Sequence, residues 1–313
     1  MRRIVILGGA GFIGKNLALK LSESKDNIVT VVDVNKSFFD DIIRINNEVC
    51  FCESQLDQYT DFDTLLRDAD IVYHLISTSM PSNTNSNIPQ EISANVVMSA
   101  YIFEACVKNN VKRVVFTSSG GTVYGKDAVC PIKEDEIMNP ISSYGIQKMS
   151  IEKLLYLYNY LYGLDYKIVR ISNPYGPYQR PNGLLGVVTT FIYNSLINRP
   201  LKVYGDGTVV RDYIYIDDCI NGIINVMQDH SRYSVFNLGS GVGISVNDVI
   251  SIIKDTLKAK ADVQYMKGRK ADVPINFLDV SRYEEVYGKL NHTSFEDGIR
   301  KTAEYMKHYI ESE

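Results

Sequence analysis

The 313-residue chain has no tryptophan at all, although it carries 22 tyrosines and 11 phenylalanines. Its five cysteines (Cys50, Cys52, Cys106, Cys130, Cys219) form no Cys-x-x-Cys pair and are odd in number, which points to reduced thiols rather than a disulfide framework. No metal site is expected. Nor is there a basic excess: the formal net charge is −4, which gives no reason to expect nucleic acid or an acidic membrane surface as a partner. No apolar run approaches the roughly 18 residues that span a bilayer. Met1-Arg2-Arg3 is followed by only four apolar residues before glycines begin, too short for a signal-peptide core. A soluble cytoplasmic protein is the expectation. What is present is ordinary for a globular chain, 45% hydrophobic and 22% charged, which excludes a disordered protein. At about 100–200 residues per domain, two domains are expected.

In the first half, short β-branched runs alternate with longer amphipathic stretches. Ile4–Leu7, Ile28–Val32, Val49–Phe51, Ile71–Leu75, Val114–Thr117 and Lys167–Ile171 read as strands covered on both faces. Helices fall near 14–23, 62–68, 91–109 and 143–162. That alternation specifies an α/β doubly wound parallel sheet of the Rossmann type with right-handed crossovers. After Ser172 the turn-rich Asn173-Pro174-Tyr175-Gly176-Pro177 opens a region of shorter elements. The boundary is therefore placed between 1–172 and a smaller α/β domain over 173–313, with segments near 217–240 returning to pack on the first.

Gly8-Gly9-Ala10-Gly11-Phe12-Ile13-Gly14 follows the first strand and opens a helix. Gly8 permits a tight turn, Gly11 a close backbone approach to a pyrophosphate, and Gly14 close packing of the helix. The phosphates would meet free N–H groups at the helix N-terminus. Asp33, about 20 residues on, ends the second strand, where a carboxylate accepts from ribose hydroxyls and repels a 2′-phosphate, favouring NAD over NADP. Further along, Tyr144-Gly145-Ile146-Gln147-Lys148 sets a phenol and an ammonium four residues apart on one helical face. A free phenol titrates near 10, and a neighbouring cation lowers that value. The Ser/Thr-rich turn Thr117–Gly125 leaves the fifth strand at its carboxyl end, the crevice where such sheets bind ligands.

With these motifs in this order, the chain resembles the extended short-chain dehydrogenase/reductase family, in particular its nucleotide-sugar epimerases. The resemblance extends over nearly the whole length, through the glycine turn, Asp33, His74-Leu75, Asn95, Val123-Tyr124-Gly125, Tyr144 and Lys148. Beyond Ser172 it rests on Arg170–Gly176, Gly205-Asp206-Gly207, Arg211-Asp212-Tyr213-Ile214, Asp217-Asp218 and Asn237-Leu238-Gly239. It implies tightly held NAD, contacted by Gly8, Gly11, Phe12, Ile13, Gly14, Asp33, Leu75, Ser118, Tyr144 and Lys148. Tyr144 would be the base and Lys148 would bind the nicotinamide ribose. A nucleotide-diphosphate sugar would be held by Asn173, by Arg211 and Arg269 on the phosphates, by Asp272 on the nucleoside ribose and by Val203 and Tyr204 around the base. The activity implied is inversion of C4 of a UDP-hexose through a 4-keto intermediate, in the supply of polysaccharide precursors.

The chain also departs from the family pattern. Gly120 stands where relatives carry a catalytic Ser or Thr, so the hydroxyl role falls to Ser119 or Thr122. His74-Leu75-Ile76-Ser77 replaces the usual His-Leu-Ala-Ala, and His74 is read as structural. A nucleotide-sugar 4,6-dehydratase would need an acidic pair where Gly120-Gly121 stands; an NADPH-dependent 4-keto-sugar reductase conflicts with Asp33. A non-catalytic dinucleotide sensor would have no need of Tyr144 and Lys148. The tyrosine excess acquires a place as well: Tyr156, Tyr158, Tyr160, Tyr162 and Tyr166 follow Tyr-xxx-Lys, at a spacing that wraps more than one helical face. With Tyr101 and Phe103 they are expected to cover a homodimer interface formed by the helices near 91–109 and 143–162.

Overall fold

The computed structural model describes residues 1–46, 48–79, 84–181, 186–268, 273–290 and 292–312. The strands in chain order begin with β1 (Arg2–Leu7), β2 (Asn27–Asp33), β3 (Cys50–Glu53), β4 (Ile71–His74), β5 (Arg113–Ser119) and β6 (Tyr166–Ile171). They continue with β7 (Asn173–Tyr175), β8 (Leu201–Tyr204), β9 (Val210–Tyr215), β10 (Val235–Leu238), β11 (Gly243–Ser245), β12 (Val263–Met266) and β13 (Ile275–Asn276).

Seven strands form the main sheet in the order β10-β6-β5-β4-β1-β2-β3. β1 pairs in parallel with both β2 and β4, β2 with β3, and β4 with β5. The order reverses at β1, so the carboxyl ends of β1 and β4 lie side by side, Leu7 opposite His74. This is the switch point of a doubly wound fold, where a crevice opens beyond the strand ends. Ile4 through Leu7 are all buried, as helices on both faces require.

The chain divides into two compact units: Met1–Val123, Pro140–Arg170 and Ile223–Phe236 form the first, and Tyr124–Asn139, Ile171–Gly222 and Asn237–Glu313 the second. The second unit thus takes Tyr124–Asn139, which a single boundary at Ser172 leaves in the first. Long-range bonds hold that segment: Tyr124 Oη donates to Asn237 Oδ1 at 2.7 Å, and the Asn237 amide donates to Glu134 Oε1 at 2.9 Å. In the same unit β9 pairs with β7, β11 and β13, and β8 pairs with β12.

Within the first unit, a helical stretch from Ile88 to Lys108, with a wider π turn at Ser93–Val97, packs beside the helix Ser143–Tyr162. The latter is capped by Ser142 Oγ on the Gly145 N–H and ends at Gly163, at φ 70°. Tyr101, Tyr156, Leu157, Tyr160, Leu161 and Tyr162 are exposed. Phe103, Tyr158 and Tyr166 are instead core residues, at 0%, 8% and 8% exposure. Phe103 faces the His74 and Tyr158 rings at 5.9 and 5.7 Å, and Tyr166 lies on β6 rather than on the helix.

Candidate active site

The glycine turn is built as its spacing requires. Gly8 sits at φ 80°, and a Cβ there would lie 2.6 Å from the Ile76 Cα. At Gly14 a Cβ would fall 2.5 Å from the Gly9 Cα and carbonyl oxygen, so the helix Phe12–Ser22 touches the turn backbone itself. Gly11 differs: its Cβ would meet only the Gly8 oxygen, at 3.5 Å. The helix has Gly11 as N-cap, no side-chain cap and no acidic residue in its first turn, leaving Phe12 and Ile13 N–H groups at a positive helix end. Asp33 closes the ring, accepting the Ala10 N–H at 2.9 Å and the Val34 N–H at 2.7 Å. Leu75 follows directly after β4, its N–H on the Leu7 carbonyl at 3.0 Å.

At the carboxyl end of β5, Lys148 is 4% exposed and its Nζ donates to the Thr117 carbonyl at 2.9 Å. The same nitrogen lies 5.6 Å from the Tyr144 ring centroid and 4.7 Å from that of Phe116. Burial brings the Lys148 ammonium down to about 8 and pushes the Tyr144 phenol up to about 12. The helix start that carries Tyr144 is held by the segment at Thr84-Asn85, between β4 and the helical stretch from Ile88. Thr84 Oγ1 accepts the Tyr144 N–H at 3.0 Å, and Asn85 Oδ1 accepts the Ser143 N–H at 2.8 Å. Glu91 gathers that loop through Thr84 Oγ1 at 2.8 Å, and hydrogen bonds from Ser143 and Thr84 hold its carboxyl down at about 2. Asn95, in the π turn, donates to Thr78 Oγ1, Ser79 Oγ and the Glu91 carbonyl, fixing the segment beyond β4.

The hydroxyls of the β5 turn differ. Ser118 Oγ donates its proton to the buried Glu152 at 2.5 Å. Thr122 Oγ1 is buried without a hydrogen-bond partner among the described residues. The Ser119 carbonyl accepts the Thr122 and Val123 N–H groups, closing the Gly120-Gly121 turn. His74 is fully buried, Nε2 on Ser99 Oγ at 2.8 Å, and Ser99 itself donates to the Asn95 carbonyl. Desolvation holds His74 down at about 3, so it is a neutral structural imidazole.

In the second unit Asn173 Nδ2 donates to the Asp212 carbonyl at 2.8 Å, tying β7 to β9. Arg211 Nη1 donates to the Val210 and Val273 carbonyls at 2.8 and 2.6 Å. Val203 is buried on β8, and Tyr204, next to it, is exposed. Arg269 and Asp272 lie outside the described residues.

The model of the NAD dependent epimerase/dehydratase family matches residues 4–239. The chain belongs to that family. Among its relatives, the UDP-glucose 4-epimerase of Mycolicibacterium smegmatis is 30% identical over 308 residues, covering 97% of this chain and 98% of that protein. The solved UDP-glucose 4-epimerase of Thermotoga maritima, with UDP-glucose, superposes with a TM-score of 0.92 at 33% identity, covering 98% of this chain and 99% of that one. The UDP-glucuronic acid 4-epimerase of Bacillus cereus, in complex with UDP-glucuronic acid and NAD, gives 0.88 at 26% identity, covering 98% and 99%.

The cofactor in the family's name fits this chain on its own terms: an uncapped helix start, open space at Gly11 and a carboxylate locked at the end of β2. Two residues of this epimerase/dehydratase site escape a motif reading, Glu91 and Glu152. The signal for Glu152 is its place four residues after Lys148, on the same helical face.

Proposed function

We propose that the protein inverts C4 of a nucleotide-diphosphate sugar, a UDP-hexose, with NAD as resident cofactor. The observation that carries this is the Tyr144–Lys148 pair, held at the carboxyl end of β5 in a member of the NAD dependent epimerase/dehydratase family. Gly8, Gly11, Gly14, the Phe12 and Ile13 amides, Asp33 and Leu75 would hold NAD. When bound, it supplies the hydride acceptor at sugar C4 and, in the return step, the hydride donor.

Tyr144 takes the proton of the 4-hydroxyl as the C4–H bond gives up its hydride, and returns a proton to O4 when hydride comes back to the opposite face. A buried phenol at about 12 is a poor base alone. The Lys148 ammonium 5.6 Å from the ring centroid favours the phenolate and brings it into range. A hydroxyl from Ser119 or Thr122 shares O4 with Tyr144, and Ser119→Ala compared with Thr122→Val assigns it. In the second unit Asn173, Arg211, Val203 and Tyr204, with Arg269 and Asp272, hold the nucleotide; the planar guanidinium fork suits diphosphate oxygens.

Tyr101, Tyr156, Tyr160, Leu161 and Tyr162 are large apolar or aromatic side chains left exposed on two packed helices, which supports a homodimer through them. Incubation with UDP-glucose, UDP-galactose, UDP-N-acetylglucosamine, UDP-glucuronate and TDP-glucose, with products resolved, tests the activity. Tyr144→Phe is expected to lose at least about 100-fold in kcat; near-normal turnover would sink the assignment.

A further inference from the structure

Lys148 belongs to a buried charge cluster that the proposed chemistry does not itself account for. Its Nζ is bound by the Thr117 carbonyl, and the very next side chain, Ser118, reaches back to the same helix one turn further on, at Glu152 Oε1. Glu152 is also gripped by Arg170 of β6, with Nη2 2.6 Å from Oε2 and Nε 3.1 Å from Oε1. Ser118, Lys148, Glu152 and Arg170 are each at most 5% exposed. One carboxylate, out of reach of water, therefore pairs with Arg170 and holds the Ser118 side chain next to the carbonyl that binds Lys148. Within a helix, residues four apart lie on one face, so Glu152 sits beside the lysine stem.

We propose, resting on the roles given above to Tyr144 and Lys148, that Glu152 is a positioning residue that keeps Lys148 in place and charged, with Arg170 setting how much of its carboxylate charge the lysine feels. Other ionisable groups facing Lys148 are few among the described residues. Tyr144 lies on its own helix, and His74 on β4 is neutral. β5 offers only the Thr117 carbonyl and the Phe116 ring. Desolvation lowers the Lys148 ammonium while the Glu152 charge raises it. Glu152 is thus the group that opposes the loss of a charge buried beside the phenol.

Glu152→Gln keeps an acceptor for Ser118 but removes the charge, leaving Arg170 without its counter-charge in the same buried cluster. Arg170→Met does the reverse. The two variants therefore shift Lys148 in opposite directions, whereas a merely structural brace would weaken the fold in both and separate them in neither. The measurement is the pH titration of the lysine ε-carbon resonances of the unliganded protein, with Lys148 assigned by Lys148→Arg. The expected result is a midpoint lower by about one unit or more in Glu152→Gln and higher by a similar amount in Arg170→Met. The double variant falls between them and serves if Arg170→Met does not fold. The basic limb of kcat against pH should follow the same order. Midpoints that stay in place, or move the same way in both single variants, overturn the proposal. Opposite shifts in a protein that epimerises no sugar nucleotide would uphold the positioning and defeat the reading of the function instead.

Discussion

Gly11 and Gly14 stand three residues apart in one motif, yet the structure separates their work, and one pair of substitutions can show it. A methyl at Gly14 falls 2.5 Å from two backbone atoms of Gly9, where ordinary contact begins near 3.4 Å, so the turn or the helix must give way by about 1 Å. Neither partner is a flexible side chain. Overpacking of this kind costs about 1–3 kcal/mol, which lowers the melting temperature by roughly 2–5 °C in a chain of this size. The displaced amides also lose alignment on a pyrophosphate; forfeiting one or two charged hydrogen bonds weakens NAD about 10–100-fold. At Gly11 the backbone is extended, at φ −75° and ψ 176°, and the methyl meets only one oxygen at 3.5 Å. Alanine fits there, and the small loss of a glycine N-cap is offset by the gain in chain stiffness. Gly11→Ala should therefore melt within about 2 °C of the parent and still bind NAD about 10–100-fold more weakly, because the methyl occupies space left for the phosphates. Thermal unfolding without NAD and calorimetric titration with it read the two effects separately. The reasoning fails if Gly14→Ala keeps both the stability and the affinity of the parent, or if Gly11→Ala binds NAD normally.

Phe103→Ala removes a fully buried ring and should cost about 3–5 kcal/mol in urea unfolding; a loss of association with stability unchanged would put Phe103 back at an interface. His74 is held at about 3 in the fold but titrates near 6.5 once unfolded. The unfolded chain alone takes up that proton below pH 6.5, so stability falls by up to about 1.4 kcal/mol per unit down toward pH 3, and His74→Gln should lack that part of the slope between pH 7 and 5. Turnover should decline as the pH passes about 8, where Lys148 gives up its charge; a flat profile to pH 10 would contradict that role. Tyr160→Asp or Leu161→Asp should shift a dimer toward monomer in light scattering without changing the melting of the monomer.

Much of the first unit was legible because its signals are local. Continuous apolar runs mark strands covered on both faces, and the segments expected from Ile4–Leu7 to Lys167–Ile171 match the observed strands to within two residues at each end. Gly8 and Gly14 announce close backbone approach, which the turn confirms. What could not be read depends on partners far away in the chain. Nothing around Tyr124–Asn139 says that it joins the second unit, because the bonds that take it there run to Asn237. The hydrogen bond from Ser118 to Glu152 is equally hidden, because Glu152 on a helix reads as one more surface acid. Tyrosines at a spacing of two wrap more than one helical face, and only the packing of neighbouring helices decides that Tyr158 turns inward while Tyr160 does not.

The return of residues 223–236 to the main sheet makes the first unit impossible to excise as a contiguous piece. A polypeptide cut at Ser172 would leave β6 as an open edge, its Ile168 N–H without the Ser234 carbonyl that accepts it at 2.8 Å. Lys167, 5% exposed at its side chain, would lose Asp229 at 2.6 Å and the Tyr233 carbonyl, and Arg113 the carbonyls of Met227 and Asp229. Arg113 would keep Asp165, but Lys167 would have lost its counter-charge beside an open apolar strand, a recipe for inclusion bodies, whereas splicing 223–236 back through a short linker would restore both the edge and the Lys167–Asp229 pair.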